Sequence, residues 1–306
     1  VIIAVFPGQG SQTPGFLSPW LALDGARERL ERASEAAEVD LIAAGTEWDA
    51  DRIRDTKVAQ PLIVAASLLS WAALVDEAGT SSAGVAGHSV GEIAALVAAG
   101  VLSEREGMRL VGLRGRAMAD AAAMEQTGMS AVIGGDHAAV LAHLENLGLT
   151  AANHNGGGQI VAAGSLPALA ELADAPVTGS RVIPLQVAGA FHTRYMQPAV
   201  EVLRTAAAGL TAPAPALTLW TNADGSIIAD GRAALDLLVS QVASPVRWDL
   251  CMESFGAHGV TGVIELAPAG TLTGLVKRGL RGTPTVAVKT PDDIPAAVAL
   301  LKGHTA

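Results

Sequence analysis

A chain of 306 residues with half of its side chains apolar is long enough to bury one large core or two unequal ones. Its 30 acidic residues against 20 basic ones give a formal charge of −10, which excludes the broad basic surface a nucleic-acid partner needs and obliges any acidic partner to find a local basic patch. A single cysteine, Cys251, excludes an internal disulfide framework and suits a reducing, cytoplasmic compartment. The apolar run at 1–6 is too short for a membrane span and lacks the charged region and cleavage site of a signal peptide.

In chain order, residues 1–6 read as a buried strand ending at Pro7-Gly8, and 60–75 as a helix with Pro61 in its first turn. Residues 85–86 form a short strand entering Gly87-His88-Ser89-Val90-Gly91, and 92–99 form the helix that leaves it and stops at Gly100. G-x-S-x-G in a strand–turn–helix context is the pattern that presents a serine hydroxyl to a pocket. Ser103 and Glu106 make a capping box that opens a helix running to about residue 122.

From Gly128 the order becomes strand 130–133, helix 137–147, strands 150–153 and 159–163, helix 167–173 and strand 181–187. That β-α-β-β-α-β order is the ferredoxin-like arrangement. Helix and strand then alternate through 198–208, 217–221, 233–242, 250–258, 262–265 and 274–278, with no internal repeat or heptad seam. The fold expected is α/β: a large α/β-hydrolase-like domain over 1–123 and 190–306, with a ferredoxin-like domain inserted at 124–189.

If Ser89 is a nucleophile it needs a base and an oxyanion site. Of the seven histidines, His88 should point away from the serine, His137 and His143 fall on the small-domain helix, and His304 lies in the tail. His154, His192 and His258 remain. His192 sits in the apolar loop 187–193, where the chain returns to the large domain, and domain junctions favour ligand sites. The Val90 N–H, next after the nucleophile, offers one oxyanion donor; the glycine-flanked Gln9, at the end of the first strand, offers a second. Arg114 interrupts the apolar stripe of Leu110, Val111, Ala117, Met118 and Ala121, so its guanidinium needs either an internal carboxylate or an anionic substrate group.

These pieces resemble a known family. The marks are Pro7-Gly8-Gln9-Gly10-Ser11-Gln12, Val58-Ala59-Gln60-Pro61, Gly87-His88-Ser89-Val90-Gly91-Glu92, Arg114-Gly115, Asn155 with Gly158-Gln159-Ile160-Val161-Ala162-Ala163-Gly164, Gly189-Ala190-Phe191-His192, Pro245-Val246-Arg247-Trp248 and Pro268-Ala269-Gly270-Thr271-Leu272. Together they resemble the malonyl-CoA:acyl carrier protein transacylases, most closely the stand-alone actinobacterial type, over essentially the full length.

The resemblance implies that Ser89 is acylated, that His192 is its base, and that Arg114 holds the malonyl carboxylate. It implies oxyanion donors at Gln9 and Val90 and a backbone carbonyl at Gln241 that orients the histidine. It also implies a substrate pocket that includes Phe191 and Asn155, with Phe191 favouring malonyl over methylmalonyl. Coenzyme A thioester is then substrate, with no cofactor or metal, and acyl carrier protein is the partner of a monomer serving fatty-acid or polyketide synthesis. For the acidic carrier protein the docking candidates are Lys277, Arg278 and Arg281, with Arg194 or Arg247. Two alternatives stand beside this reading: a serine esterase or thioesterase of the α/β-hydrolase type with His258 as base and Asp224 or Asp230 as acid, and a non-catalytic carrier-protein docking subunit.

Overall fold

The computed structural model describes residues 1–80 and 82–303, so His304 lies outside the described residues. In chain order the strands are β1 (Ile2–Phe6), β2 (Gly84–Gly87), β3 (Thr127–Gly134), β4 (Thr150–Gly156), β5 (Gln159–Ser165), β6 (Ser180–Pro184), β7 (Thr218–Leu219), β8 (Gly262–Glu265) and β9 (Thr285–Ala287). They make a parallel sheet in the order β7-β2-β1-β8-β9 and a separate antiparallel sheet in the order β4-β5-β3-β6.

Strands β1, β2 and β8 are almost wholly buried because both faces of the parallel sheet are covered, and all but Glu265 of their residues are apolar or glycine. The two-residue period of β1 sends Ala4 and Phe6 into one core, with Leu62, Ile93 and Met118, and Ile3 and Val5 into another, with Trp220, Trp248 and Phe255. The antiparallel sheet divides in the same way. Ile160 and Ala162 of β5 pack under the helices His137–Asn146 and Leu166–Asp174, while Val161 and Ala163 face the main core.

The two sheets are joined by backbone as well as by side chains. The His154 N–H donates to the Val246 carbonyl and the Val246 N–H to the Ala152 carbonyl, each at 2.8 Å, which tethers β4 to the segment ahead of the Trp248–Ala257 helix.

Several boundaries differ from the sequence reading. The helix read over 60–75 begins at Thr56, where the Asp55 carboxylate accepts from the Lys57 N–H, and runs to Ala78, so Pro61 lies inside it and not in its first turn. This helix is long and apolar enough to cross a membrane, yet Leu62, Ile63 and Val64 are fully buried. Its Ser67 and Ser70 hydroxyls bond the backbone of Ala267, so it is a core helix. The strand read over 181–187 stops at Pro184, and that read over 217–221 is only Thr218–Leu219. Three short helices not read from sequence, Ala26–Ala37, Leu41–Thr46 and Ala50–Arg54, cover one side of the main core, and β9 with the Ile294–Leu301 helix closes its edge.

Candidate active site

Adjacent parallel strands that end level place their following loops side by side. Phe6 of β1 pairs with Gly87 of β2, and the His88 N–H donates to the Phe6 carbonyl at 2.9 Å, so the Gln9 loop lies against the Ser89 turn. The glycines of Gly87-His88-Ser89-Val90-Gly91 are demanded by this closeness. A Cβ on Gly87 would lie 2.0 Å from the Gly91 carbonyl carbon, and one on Gly91 would lie 2.2 Å from the Phe6 oxygen. The turn they permit holds the half-buried Ser89 at φ 53°, a left-handed conformation unusual outside glycine. Ser89 N–H donates to Asn222 Oδ1 at 2.8 Å, and Asn222 Nδ2 donates to the Gly87 carbonyl at 2.7 Å, so one asparagine splints the turn from below.

His192 comes from the segment returning from β6 and is also left-handed, at φ 61°. The last carbonyls of the Gly231–Gln241 helix have no partner within that helix, and the Gln241 carbonyl meets His192 Nδ1 at 2.8 Å. A carbonyl can only accept, so Nδ1 carries the proton and Nε2 presents its lone pair to Ser89 Oγ, 2.7 Å away. Burial at 3% exposure, and then the charge of Arg114, pull the imidazole down to about 3, so the ring is a neutral base near pH 7.

Arg114 is 1% exposed and projects from the Glu104–Met124 helix toward the same point. Its NH1 donates to Gln60 Oε1 at 2.7 Å and its NH2 to Gln241 Oε1 at 3.0 Å, and NH2 also lies 3.5 Å from Ser89 Oγ. Nε has no partner among the described residues. Burial lowers the guanidinium to about 10, with the Glu92 charge opposing, so it remains charged near neutrality. Ser89, His192 and Arg114 meet on a cavity of about 80 Å³ whose apolar wall includes Met118, Met129, Val161, Leu185, Val187 and Phe191. Gln9 and Val90 line it too, and neither backbone N–H has an acceptor among the described residues. Among the described residues no three His, Cys, Asp or Glu side chains converge as a metal set.

The arrangement is a serine–histidine dyad with a buried cation, and comparison with known proteins places it. The acyl transferase domain family matches residues 3–299. A malonyl CoA-acyl carrier protein transacylase of Mycobacterium bovis is 50% identical over 296 residues, covering 96% of this chain and 98% of the relative. The chain belongs to this transacylase family. The crystal structure of the Mycobacterium tuberculosis family member superposes with a TM-score of 0.94 at 50% identity, covering 97% of this chain and 100% of that one. A malonyl-transacylase solved in complex with its type II polyketide synthase acyl carrier protein superposes with a TM-score of 0.92 at 30% identity, covering 99% of each chain.

Not every residue singled out from sequence falls where the resemblance to the family put it. Phe191 lines the cavity, but Asn155 lies behind it with its Oδ1 held 2.8 Å from His88 Nε2; on β4 it is Asn153 that reaches the wall. Arg247 is not a free cation, because Asp249 takes its Nε and NH2 at 3.0 and 2.8 Å. Arg194 is exposed and lies over the Tyr195 ring, and Lys277, Arg278 and Arg281 are exposed around the end of the Thr271–Gly279 helix. The esterase triad does not assemble. His258 is exposed with Nδ1 on the Ser254 carbonyl, Asp230 caps the Gly231–Gln241 helix, and Asp224 accepts from the Ser226 N–H.

Sequence reasoning gave no role to Glu92 or Asn222, and Gln60 appeared only as part of a family mark. Glu92, 5% exposed, accepts from the Asn222 N–H on Oε1 and from Gln241 Nε2 on Oε2, while burial pushes its carboxyl up against the pull of that N–H and of Arg114. The one available signal was an acidic side chain in the first turn of a helix otherwise made of Gly, Ala, Ile, Leu and Val.

Proposed function

We propose that the chain moves a malonyl group from coenzyme A to the phosphopantetheine thiol of an acyl carrier protein through a malonyl-Ser89 ester. His192 Nε2 takes the Ser89 proton as Oγ attacks the thioester carbonyl, and the Gln9 and Val90 N–H groups receive the oxyanion. The tetrahedral adduct collapses with loss of coenzyme A, whose sulfur recovers the proton from His192. The carrier thiol then gives its proton to His192 and attacks the ester carbonyl, and the departing Ser89 oxygen recovers that proton from His192. Gln241 holds the imidazole through its backbone carbonyl and fixes the tautomer without a third carboxylate. Arg114 binds the free carboxylate of the acyl group, a fork geometry a lysine lacks. The observation that carries the reading is the 2.7 Å contact of Ser89 Oγ with His192 Nε2 in the cavity that also holds the Arg114 guanidinium.

The strand order β4-β5-β3-β6 within β-α-β-β-α-β supports the ferredoxin-like description of 124–189, and the elbow after β2 supports an α/β-hydrolase-like description of 1–123 and 190–306. The same reading makes the enzyme a cytoplasmic monomer without cofactor or metal, preferring malonyl over methylmalonyl because the Phe191 ring fills space beside the acyl α-carbon. Its carrier partner is the kind of protein bound in the complexed relative. The test is incubation with malonyl-CoA, mapping of the label by mass, and a chase with acyl carrier protein. Label on Ser89 that moves to the carrier supports the proposal; label that Ser89→Ala retains, or that only water removes, overturns it.

A further inference from the structure

Gln241 has a side-chain amide with two different ends, and its orientation decides what Arg114 meets. Oε1 accepts from Arg114 NH2 at 3.0 Å, while Nε2 faces only acceptors: the Ser89 carbonyl at 3.2 Å, Asn222 Oδ1 at 3.2 Å, and a Glu92 oxygen. Turned over, the amide would set its NH2 against a guanidinium and its oxygen against three oxygens. Of those three acceptors Glu92 is the one carboxyl, raised to about 8 by burial, and its second oxygen accepts from the Asn222 N–H. With one oxygen on the Asn222 N–H and the other on Gln241 Nε2, it meets the amide as an acceptor whatever its charge.

We propose that Glu92 is a positioning residue for acyl-group selection: by accepting from Gln241 Nε2 it fixes the amide so that Oε1 faces Arg114, which aims the guanidinium at the acyl carboxylate. This rests on the reading of Arg114 given above. Gln60 holds the other side of the fork, with its Nε2 on Met118 Sδ at 3.3 Å and its Oε1 on Arg114 NH1. The guanidinium is thus held between two glutamines, one oriented by a thioether and one by a carboxylate. The thioether is a weak acceptor, so the carboxyl end of the chain sets the geometry.

In Glu92→Gln the new amide nitrogen must face either the Asn222 N–H or Gln241 Nε2, and the Gln241 amide loses its fixed sense. The readout is the ratio of malonyl to acetyl acylation of Ser89, measured by intact mass with the two thioesters in competition. Loss of one buried hydrogen bond predicts a fall of about ten-fold in that ratio. Gln241→Met keeps the backbone carbonyl that orients His192 and removes the amide. It should show the same fall, and adding Glu92→Gln to it should change the ratio no further. Gln241→Met also reads the contact from its other side if Glu92→Gln folds poorly, and an unchanged ratio in it overturns the proposal. Parallel losses on both thioesters, or an equal further fall in the Gln241→Met background, show Glu92 supporting the turn alone and overturn it as well. A wild type that takes both thioesters equally overturns the reading of Arg114 and this proposal with it, whereas a malonyl-selective wild type with an unchanged ratio in Glu92→Gln overturns this proposal alone.

Discussion

A guanidinium shut away from water is costly unless its donors are met, and Arg114 donates to two amide oxygens with no carboxylate in direct contact among the described residues. In the proposed function the acyl group's carboxylate meets it there. Arg114→Ala should therefore lower Ser89 acylation by malonyl-CoA about a hundred-fold while acetyl-CoA suffers much less; equal losses in single-turnover rates would make Arg114 a structural cation. His192 carries a second prediction. Because burial holds it near 3, acylation should show no fall centred near the usual histidine value of about 6.5 as pH drops from 8 to 5. The sign for stability is opposite to that of a salt-bridged histidine. The unfolded chain binds a proton below about 6.5 that the folded ring refuses down to about 3, so this group's contribution is complete above 6.5 and is lost as pH falls through that window. In denaturant titrations His192→Gln should flatten that part of the acid limb.

At the scale of elements, local rules carried far. The Ser103 capping box holds as drawn, with the Glu106 carboxylate accepting from the Ser103 N–H at 2.8 Å, and the helix overshoots the expected end by two residues at Met124. The nucleophile turn was legible because its signature, a serine flanked by the two glycines, falls within five residues, although Phe6 and Asn222 hold it from a distance. Gly91→Ala should test it: a Cβ 2.2 Å from the Phe6 oxygen must push the turn away from the end of β1, which should lower unfolding free energy by about 1–3 kcal/mol and cut Ser89 acylation. A variant as stable and active as wild type would show that the turn has slack. The dyad was legible through the family, since nothing local marks residue 192 as the partner of residue 89. What escaped was whatever depends on distant partners. Glu92 meets Asn222 and Gln241, well over a hundred residues away, and no periodicity encodes that meeting. The helix at 56 differs for a simpler reason: Asp55 is its cap, but Pro61 puts the expected start four residues late because proline is usual in a first turn. Short helices such as Leu41–Thr46 announced themselves only by single caps, here Asp40 on the Ala43 N–H.

For the whole molecule, a charge of −10 sets the rule for meeting an acidic carrier: long-range repulsion must be overcome by a local patch. With Arg247 committed to Asp249, the remaining candidates are Arg194 and the cluster Lys277, Arg278 and Arg281. Arg278 lies beside Gln159 on the hairpin between β4 and β5, whose strand β4 also supplies Asn153 to the cavity wall. Reversing Lys277 and Arg278 to glutamate should raise KM for the carrier several-fold, with a weaker salt dependence and little change for malonyl-CoA; kinetics indifferent to both would place the dock elsewhere. The backbone tether at Val246 has a mechanical consequence. Because β4 is joined through His154 and Ala152 to the segment that leads into the Trp248–Ala257 helix, a jaw-like opening there must break two backbone hydrogen bonds. In deuterium labelling, the amides of 154 and 246 should exchange together and as slowly as those of β1. Thioester and carrier arm would then thread a mouth of fixed width, and turnover would keep no step in reserve for a domain to open.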